Sequence, residues 1–378
     1  MEKQSYIEKL SKYLIYLGIL AIISIVCWYF RSVLVYVILA FVVSLVSRPL
    51  ARLMGKIHIK GKSAPHWLLA IISIAIVIVI MLMMVILVIP VISNIINEAS
   101  LFSNTNRFNG DLGQTVNEWI VGMFPSLGKD FDAISVLLNY LKGAVSDFDI
   151  TRLIGSVGSV VVSLAVGLFS VVFISFFFVK DEKLFSKIVA ALVPDHFEAS
   201  VTESISDIEH LLSRYFVGLI LEMLGVALFN FLGLWLIARI GVNYALGIAF
   251  IAGILNIIPY VGPIIGEVIG VLLCLVLKYG AGIGLDVHIW VLALIVLAIM
   301  LAVQLIDNFV LQPIIYSTSI KATPLEIFIV ILLAGTIGGV LGMLAAIPAY
   351  TVIRVIAGRF FYDKKVVQRL MPDIKKKK

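Results

Sequence analysis

Charged side chains are scarce in this sequence of 378 residues. Asp, Glu, Lys and Arg together make up 14% of it and hydrophobic residues 61%, whereas soluble domains carry about 25% charged residues. Cysteine is nearly absent: Cys27 and Cys274 both lie inside apolar runs, so we expect no disulfide. The five histidines are scattered, and no zinc motif, phosphate-binding loop or nucleophile–base pair is found. We therefore expect no enzyme activity, no cofactor and no metal site.

What the sequence does contain is a series of long apolar stretches. A membrane span needs about 20 apolar residues. Stretches that meet or approach this length lie at residues 13–30, 32–47, 67–92, 154–179, 212–240, 244–277, 288–311 and 325–357. The sequence therefore predicts an all-α membrane protein, a polytopic helical bundle of about eight spans.

These stretches divide the chain into six parts. We predict N-terminal transmembrane helices 1–3 in residues 1–92, an extracytoplasmic helical segment in 93–153, and transmembrane helix 4 in 154–180. A cytoplasmic amphipathic helix that begins at Pro194-Asp195 is expected in 181–211. A C-terminal transmembrane core with broken helices follows in 212–358, and a basic cytoplasmic tail in 359–378.

The net charge of +6 is concentrated in the loop 48–62 and in the tail, while residues 93–152 are net acidic. By the positive-inside rule, the loop, the tail and both termini are cytoplasmic, and the acidic segment is outside. We expect a multi-pass protein of the bacterial cytoplasmic membrane whose basic clusters contact anionic lipid. No recognition module accompanies the basic tail, so nucleic acid is not a predicted partner.

The sixth apolar stretch is interrupted by residues that break helices. The motif NIIPYVGP carries them in its middle, namely Asn256, Pro259, Tyr260, Gly262 and Pro263. Proline removes a backbone donor, and freed carbonyls are costly in hydrocarbon unless protein or a water-filled cavity satisfies them. Transporters build substrate sites from such breaks, so we predict the solute or ion pathway here.

A second interruption lies in the last stretch, with Gly335, Gly338, Gly339 and Gly342 followed by Pro348. Small residues also recur at Gly262, Gly266 and Gly270, a spacing that allows close helix packing or a hinge. Each interrupted stretch fits either a full span or a re-entrant hairpin. Paired interruptions of this kind are a feature of transporter repeats.

Ionisable residues at membrane depth are costly and therefore mark candidate functional sites. Glu222 lies in the fifth stretch, Glu267 one turn after Pro263, and Asp307 in the seventh. Arg354, near the end of the last stretch, is expected to snorkel or to lie at the cytoplasmic edge. Gln304, Asn308 and Gln312 accompany Asp307 at helical spacing, which predicts a polar stripe on one helix face. The stripe fits either a wet cavity or an interhelical hydrogen-bond seam.

Three segments together resemble one known family. The stretches GVNYALGIAFIAGILNIIPYVGPIIGEVIGVL, QLIDNFVLQPIIY and TPLEIFIVILLAGTIGGVLGMLAAIPAYTVIRVI are similar to those of the AI-2E family of bacterial transporters, named for export of the signal autoinducer-2. The resemblance implies a secondary transporter without an ATPase partner that forms homo-oligomers. Some members are linked to autoinducer export and others to sodium/proton exchange. Asp307 stands where glutamate is common and Glu222 where an uncharged polar residue is common, which favours an ion-coupled member.

The resulting expectation is a membrane transporter that exports a small polar metabolite or quorum-sensing signal by alternating access, coupled to protons or sodium. The broken helix and the Asp307 stripe would form its central site, with Glu267 or Glu222 as the coupling carboxylate. One alternative is a cation/proton antiporter with no organic substrate. Another is a non-transporting membrane scaffold that binds partners through residues 93–152 and 180–214.

Overall fold

The computed structural model describes parts of residues 11–30, residues 31–56, 64–103, 159–191, 193–313 and 323–361, and the isolated positions 118 and 136. The regular elements, numbered α1 to α9, are listed in chain order: α1 (Arg31–Gly55), α2 (His66–Ser103), α3 (Ser159–Lys180), α4 (Leu184–Ala190), α5 (Asp195–Leu236), α6 (Val242–Leu255), α7 (Val261–Ala281), α8 (Ile289–Ile306) with the π turn Asp307–Leu311, and α9 (Pro324–Phe360). Most of the predicted extracytoplasmic segment and nearly all of the basic tail lie outside the described residues.

The described residues are almost entirely helical, and six helical stretches among them are long and apolar enough to cross a membrane. Two shorter apolar helices, Ala165–Lys180 and Val242–Leu255, accompany them. The prediction of an all-α polytopic membrane protein with broken helices in its C-terminal half is therefore confirmed. Helix α2 continues to Ser103, so it extends past the predicted end of the third span at residue 92.

The chain forms two compact units. The first contains α1, α3 and the beginning of α2. Its helices are joined by polar contacts at their ends: Arg48 Nε and Nη2 donate to the carbonyl oxygen of Phe178 at 3.3 and 3.1 Å, and Ser175 Oγ donates to that of Ala40 at 3.0 Å. The bonds from Arg48 satisfy a buried guanidinium of α1 and the Phe178 carbonyl oxygen in the last turn of α3, where carbonyls have no partner inside the helix.

The second unit is built along α5, a continuous helix of 42 residues that begins directly after Pro194, where the sequence predicts a helix start. Its polar first half continues without interruption into the apolar second half. At about 1.5 Å per residue, the helix is about 63 Å long and exceeds the roughly 30 Å hydrocarbon core. Its apolar half packs against α6 and α8 around the buried residues Leu234, Ile248, Leu277 and Val296.

Helices α6 and α7 form an antiparallel hairpin, here called hairpin 1, whose turn is residues 256–260. The turn contains Tyr260 at φ +68°, in the left-handed region that non-glycine residues rarely adopt. In the contacts between the two helices, successively higher residue numbers on α7 face successively lower numbers on α6, as they do in a chain that folds back on itself. The facing pairs are Gly262 with Leu255, Gly266 with Ala252, and Gly270 with Ile248.

The position of Pro263 corrects one detail of the sequence interpretation. Helix α7 resumes at Val261, so Gly262 and Pro263 lie in its first turn and only Pro259 lies in the break. The first-turn N–H groups of a helix have no intrahelical partner in any case. Pro263 therefore removes no helical hydrogen bond.

The last helix is also a fold-back, here called hairpin 2. Its residues have helical dihedrals except Gly339, at φ +57° and ψ −141°. The Tyr350 hydroxyl donates to Glu326 Oε2 at 3.0 Å, although 24 residues separate them and a straight helix would hold them about 36 Å apart. Residues 324–338 and 340–360 are thus two arms that run side by side, and this stretch does not form a single straight span.

The two hairpins enter the second unit from opposite ends of α5. Hairpin 1 begins just after α5 ends, and its far loop returns to the same place, where the Leu285 N–H donates to the carbonyl oxygen of Ala238 at 2.9 Å. Hairpin 2 has its base at the polar half of α5, where Arg359 pairs with Glu203 and with Asp207, the latter at 2.9 Å. The hairpins pack together around Ile258, Ile331 and Ala346.

Candidate functional site

Polar side chains from three elements converge in the apolar interior of the second unit. We call this group the polar centre; it consists of Glu222, Asn256, Gln304, Asp307 and Gln312. Glu222 comes from α5, Asn256 from the turn of hairpin 1, and the other three from the end of α8. Every one of these residues was named as a candidate from the sequence. The structure adds that they touch one another.

Hairpin 1 places Asn256 at the centre of this group. Asn256 ends α6 and is only 3% exposed. Its side-chain Nδ2 donates to Glu222 Oε1 at 3.4 Å and to Asp307 Oδ2 at 3.3 Å. An amide nitrogen has two hydrogens, so one side chain can serve both carboxyls. The break in the helix therefore holds the carboxyls of α5 and α8 beside each other.

The π turn at Asp307–Leu311 determines which residues of α8 join the polar centre. The backbone N–H of Gln312 donates to the backbone carbonyl oxygen of Asp307, five residues earlier in the chain. This wider turn brings residues i and i+5 onto one face, whereas in an α-helix they point about 140° apart. Gln312 Nε2 consequently reaches Asp307 Oδ2 at 2.9 Å. The spacing of three, four and eight residues predicted one face but not this turn.

Asp307 has an asymmetric set of hydrogen bonds. It is fully buried, at 0% exposed. Its Oδ2 accepts from three amide nitrogens, those of Asn256, Gln304 and Gln312. Its Oδ1 is buried and accepts no hydrogen bond from the described part of the chain. One carboxyl oxygen is thus saturated with donors while the other is available.

The outer edge of the polar centre is exposed. Gln304 and Gln312 are half-buried, and each of their amides also donates to Asn308 Oδ1, at 3.2 and 3.3 Å. Asn308 itself is exposed, and Phe309 beside it is 76% exposed. A polar path of three amides therefore runs from buried Asp307 to the surface of the second unit.

Other candidates from the sequence lie outside the polar centre. Glu267 is half-buried on α7, and no hydrogen bond or ion pair to it is found among the described residues. Tyr260 is partly exposed, and its ring packs edge-on against Phe328 of hairpin 2, with ring centroids 5.7 Å apart. The structure thus joins Glu222, and not Glu267, to Asp307.

The glycine candidates lie where backbones meet or turn. Gly262, Gly266 and Gly270 face α6 across hairpin 1. Gly335 and Gly342 lie where the arms of hairpin 2 meet, since a Cβ atom would come 2.5 Å from Met343 Cε and 2.1 Å from the Ala334 carbonyl oxygen, respectively. Gly338 and Gly339 form the tip of hairpin 2 and Pro348 lies in its second arm.

A second, half-buried polar group joins the arms of hairpin 2, and its pairing is not predictable from the sequence. Glu326, on the first arm of hairpin 2, accepts from Tyr350 and lies 3.8 Å from Arg354 Nη1 on the second arm. A position at the membrane edge stays a prediction for Arg354. Its side chain is only 12% exposed and lies against Glu326, a neighbour that its place in the sequence does not indicate. The reason is the fold-back at Gly339, which brings these distant positions together.

The polar centre offers amide donors, two carboxyls and, at the break in hairpin 1, backbone groups outside a regular helix. Within the described residues no three histidine, cysteine, aspartate or glutamate side chains group as a metal site would require. The chemistry present suits a proton, a monovalent cation or a small polar solute. Interrupted helices with a polar site at their tips, inside a polytopic bundle, are typical of secondary membrane transporters.

Comparison with known proteins identifies the class more closely. Residues 17–361 match the model of the AI-2E family transporter. The chain belongs to this family, and the family prediction made from its motifs is confirmed. It is a multi-pass membrane protein of a transporter family.

Two relatives from Bacillus subtilis (strain 168) are similar to parts of the chain. "Putative transport protein YueF" is 28% identical over 240 residues, which cover 63% of this chain and 60% of the relative. "Putative transport protein YrrI" is 27% identical over 188 residues, which cover 50% of this chain and 49% of the relative. The chain therefore matches about half to three fifths of the length of these relatives.

Proposed function

We propose that the protein exports a small polar metabolite or signal, of the kind of autoinducer-2, across the bacterial cytoplasmic membrane by alternating access, driven by a proton or sodium gradient. The observation that carries this proposal is the polar centre at the tip of hairpin 1. It is the place where a buried polar group meets a break in the helical backbone.

The opposed hairpins support alternating access. A transporter of this type needs a central site that is closed from each side in turn. Hairpin 1 reaches the polar centre from one end of α5, and hairpin 2 packs against the turn of hairpin 1 from the other end. Movement of either hairpin would open the centre toward its own side.

The proposed orientation in the membrane, lipid contacts and oligomeric state rest on the sequence. Both termini are proposed to be cytoplasmic, and the basic loop and tail to contact anionic lipid. The family resemblance supports a homo-oligomer.

Transport in proteoliposomes tests the proposal. Purified protein would be reconstituted with an internal pH dye, an imposed pH or sodium gradient, and autoinducer-2 on one side. Gradient dissipation that requires the organic solute is the expected result. Failure to move the solute under every gradient would contradict export of this solute.

Asp307→Asn is the matched variant for the same assay. Asparagine has no negative charge for the three amides to stabilise, so we expect the coupled transport rate to fall by about tenfold or more, which corresponds to at least about 1.4 kcal/mol in the barrier. The variant should still fold and insert, because asparagine has nearly the same shape. An unchanged rate in a folded, inserted variant would remove Asp307 from the mechanism.

A second candidate, a cation/proton antiporter, is favoured by one observation. The Glu222 and Asp307 carboxyls in the polar centre both accept a hydrogen bond from Asn256 Nδ2. Two neighbouring carboxyls of this kind can exchange a proton for a cation. This function requires pH-dependent sodium movement in the same vesicles without organic solute.

A further inference from the structure

We infer that Glu222 and Asp307 act as one carboxyl pair that holds a single exchangeable proton, with the proton on Glu222 and the negative charge on Asp307. This inference rests on the proposed function, since the proton would be the coupling ion. It names the group that carries the ion, which the proposed function leaves open.

The carboxyls of Glu222 and Asp307 lie close together. Asn256 Nδ2 lies within 3.4 Å of an oxygen of each, and the Glu222 and Asp307 carboxyls lie within reach of a direct hydrogen bond. Both residues are almost completely buried. Two negative charges at this separation in a poorly polarisable interior repel strongly, so such pairs share a proton and ionise one at a time.

An asymmetry in the hydrogen bonds decides which carboxyl keeps the charge. Asp307 Oδ2 accepts from three amide nitrogens, the nearest being Gln312 Nε2 at 2.9 Å, and the hydrogen bond from Asn256 to Glu222 Oε1 is longer, at 3.4 Å. Hydrogen bonds donated to a carboxylate stabilise its ionised form. The charge is therefore better accommodated on Asp307.

The other carboxyl oxygen of Asp307 can accept a hydrogen bond. Asp307 Oδ1 is buried and accepts no hydrogen bond from the described residues. Buried polar atoms in native proteins nearly always have a partner. A protonated Glu222 supplies the missing donor, because its O–H can donate to Asp307. A proton shared by the two carboxyls therefore gives Asp307 Oδ1 the hydrogen bond that it otherwise lacks.

Charged and titratable groups on the neighbouring helices leave this assignment intact. On α5, Tyr215 interacts electrostatically with Glu222. Helix α6 has no charged residue. On α7, Lys278 donates to the carbonyl oxygen of Leu285, and Glu267 has no hydrogen bond or ion pair to the described residues. Within the described part of the chain, the side chains that act on Asp307 are the three amides and Glu222, and none of these is cationic.

Infrared spectroscopy of the purified, lipid-reconstituted protein tests this inference without any transported solute. A protonated carboxylic acid has a C=O stretching band that an ionised carboxylate lacks. We expect a band that disappears as pH is raised. Glu222→Gln should remove this band and Asp307→Asn should keep it at acidic pH.

Glu198→Gln is the matched control, because Glu198 is an exposed carboxyl on the same helix. The band should persist in this variant. Loss of the band in Asp307→Asn and its persistence in Glu222→Gln would overturn the assignment, as would its absence from the wild type. Since the measurement needs no solute, a failed transport assay with an intact band would count against the proposed function and not against the carboxyl pair.

Discussion

At the scale of single residues, Gly339 allows the chain to reverse direction in hairpin 2. Its φ of +57° and ψ of −141° lie in a region open essentially only to glycine. Gly338, its neighbour, has no positive φ, and a Cβ atom there would have no heavy atom within 4 Å. The two glycines therefore have different structural requirements although they are adjacent.

Gly339→Ala should destabilise the protein by about 1–3 kcal/mol, the cost of a strained backbone conformation. Gly338→Ala should have little effect and is the control. Thermal unfolding of both variants in the same detergent measures the difference. Equal losses of stability would show that the tip does not depend on the conformation of Gly339.

Individual residues of the candidate site also differ in how well the sequence predicts them. All five members of the polar centre were candidates, because polar groups in apolar stretches stand out. The exclusion of Glu267 from the centre was not predictable, since its sequence context is as unusual as that of Glu222. The Glu326–Arg354 pair could not be found, because the residues are neighbours only after the chain folds back.

At the scale of elements, the closeness of α6 and α7 in hairpin 1 varies along its length. A Cβ atom on Gly262 would lie 1.8 Å from the Leu255 carbonyl oxygen, which is too close for any side chain. One on Gly266 would lie 3.4 Å from Ala252 Cα, an ordinary contact. The hairpin is thus tightest next to its turn, which holds Asn256 in the polar centre.

Gly262→Ala should therefore push the two helices apart and destabilise hairpin 1 by about 1–3 kcal/mol, as overpacking does. Gly266→Ala should be neutral or stabilising by up to about 1 kcal/mol, because the Cβ atom fits and alanine favours a helix more than glycine does. Melting temperatures and solute transport of the two variants provide the measurement. If Gly266→Ala were as damaging as Gly262→Ala, close approach near the turn would not be the cause.

In the first unit, an ion pair joins Arg52, in the last turn of α1, to Glu182, which lies outside the membrane-spanning helices. Arg52 Nε and Nη2 donate to Glu182 at 3.0 and 2.6 Å, and these bonds lower the pKa of Glu182 below its ordinary value of 4.5. A lowered pKa means that the unfolded chain binds more protons than the folded one. The stabilisation is then present above the unfolded pKa and is lost as pH falls through the folded pKa.

Glu182→Gln should consequently lower the melting temperature near neutral pH and have no effect once the wild-type carboxyl is protonated in the folded state. Both side chains are substantially exposed, so the difference should be modest, about 0–1 kcal/mol. Parallel melts of wild type and variant across the acidic range test this. A constant difference at all pH values would assign the effect to something other than the charge.

The two fold-backs show how far elements could be predicted. Prolines and glycines marked both interruptions, since few other residues adopt those backbone conformations. The sequence does not determine whether the chain after each interruption crosses the membrane or folds back, because that depends on packing between distant residues. The π turn was missed for a similar reason: its sequence is ordinary, and only the wider hydrogen bond from Gln312 to Asp307 reveals it.

At the scale of the whole molecule, the second unit has two ends of different character. One end carries the polar half of α5 and the base of hairpin 2, with Arg359 paired to acidic residues. The other carries the turn after α5 and the base of hairpin 1. Because α5 is about twice as long as the hydrocarbon core is thick, its two ends cannot both lie within the bilayer.

Cysteine labelling tests whether these ends face opposite sides of the membrane. Asp286→Cys, in the loop at the base of hairpin 1, and Glu198→Cys, in the first turn of α5, are both exposed positions. In a background with Cys27 and Cys274 replaced by alanine, a membrane-impermeant maleimide should label Asp286→Cys in intact cells and Glu198→Cys only after permeabilisation.

The reason is that a transporter with opposed hairpins needs one gate on each side of its central site, and the charge pattern predicts that α5 begins in the cytoplasm. Labelling of both positions from the same side would mean that the hairpins do not open to opposite compartments. Alternating access through the polar centre would then lose its structural basis, whatever solute the protein moves.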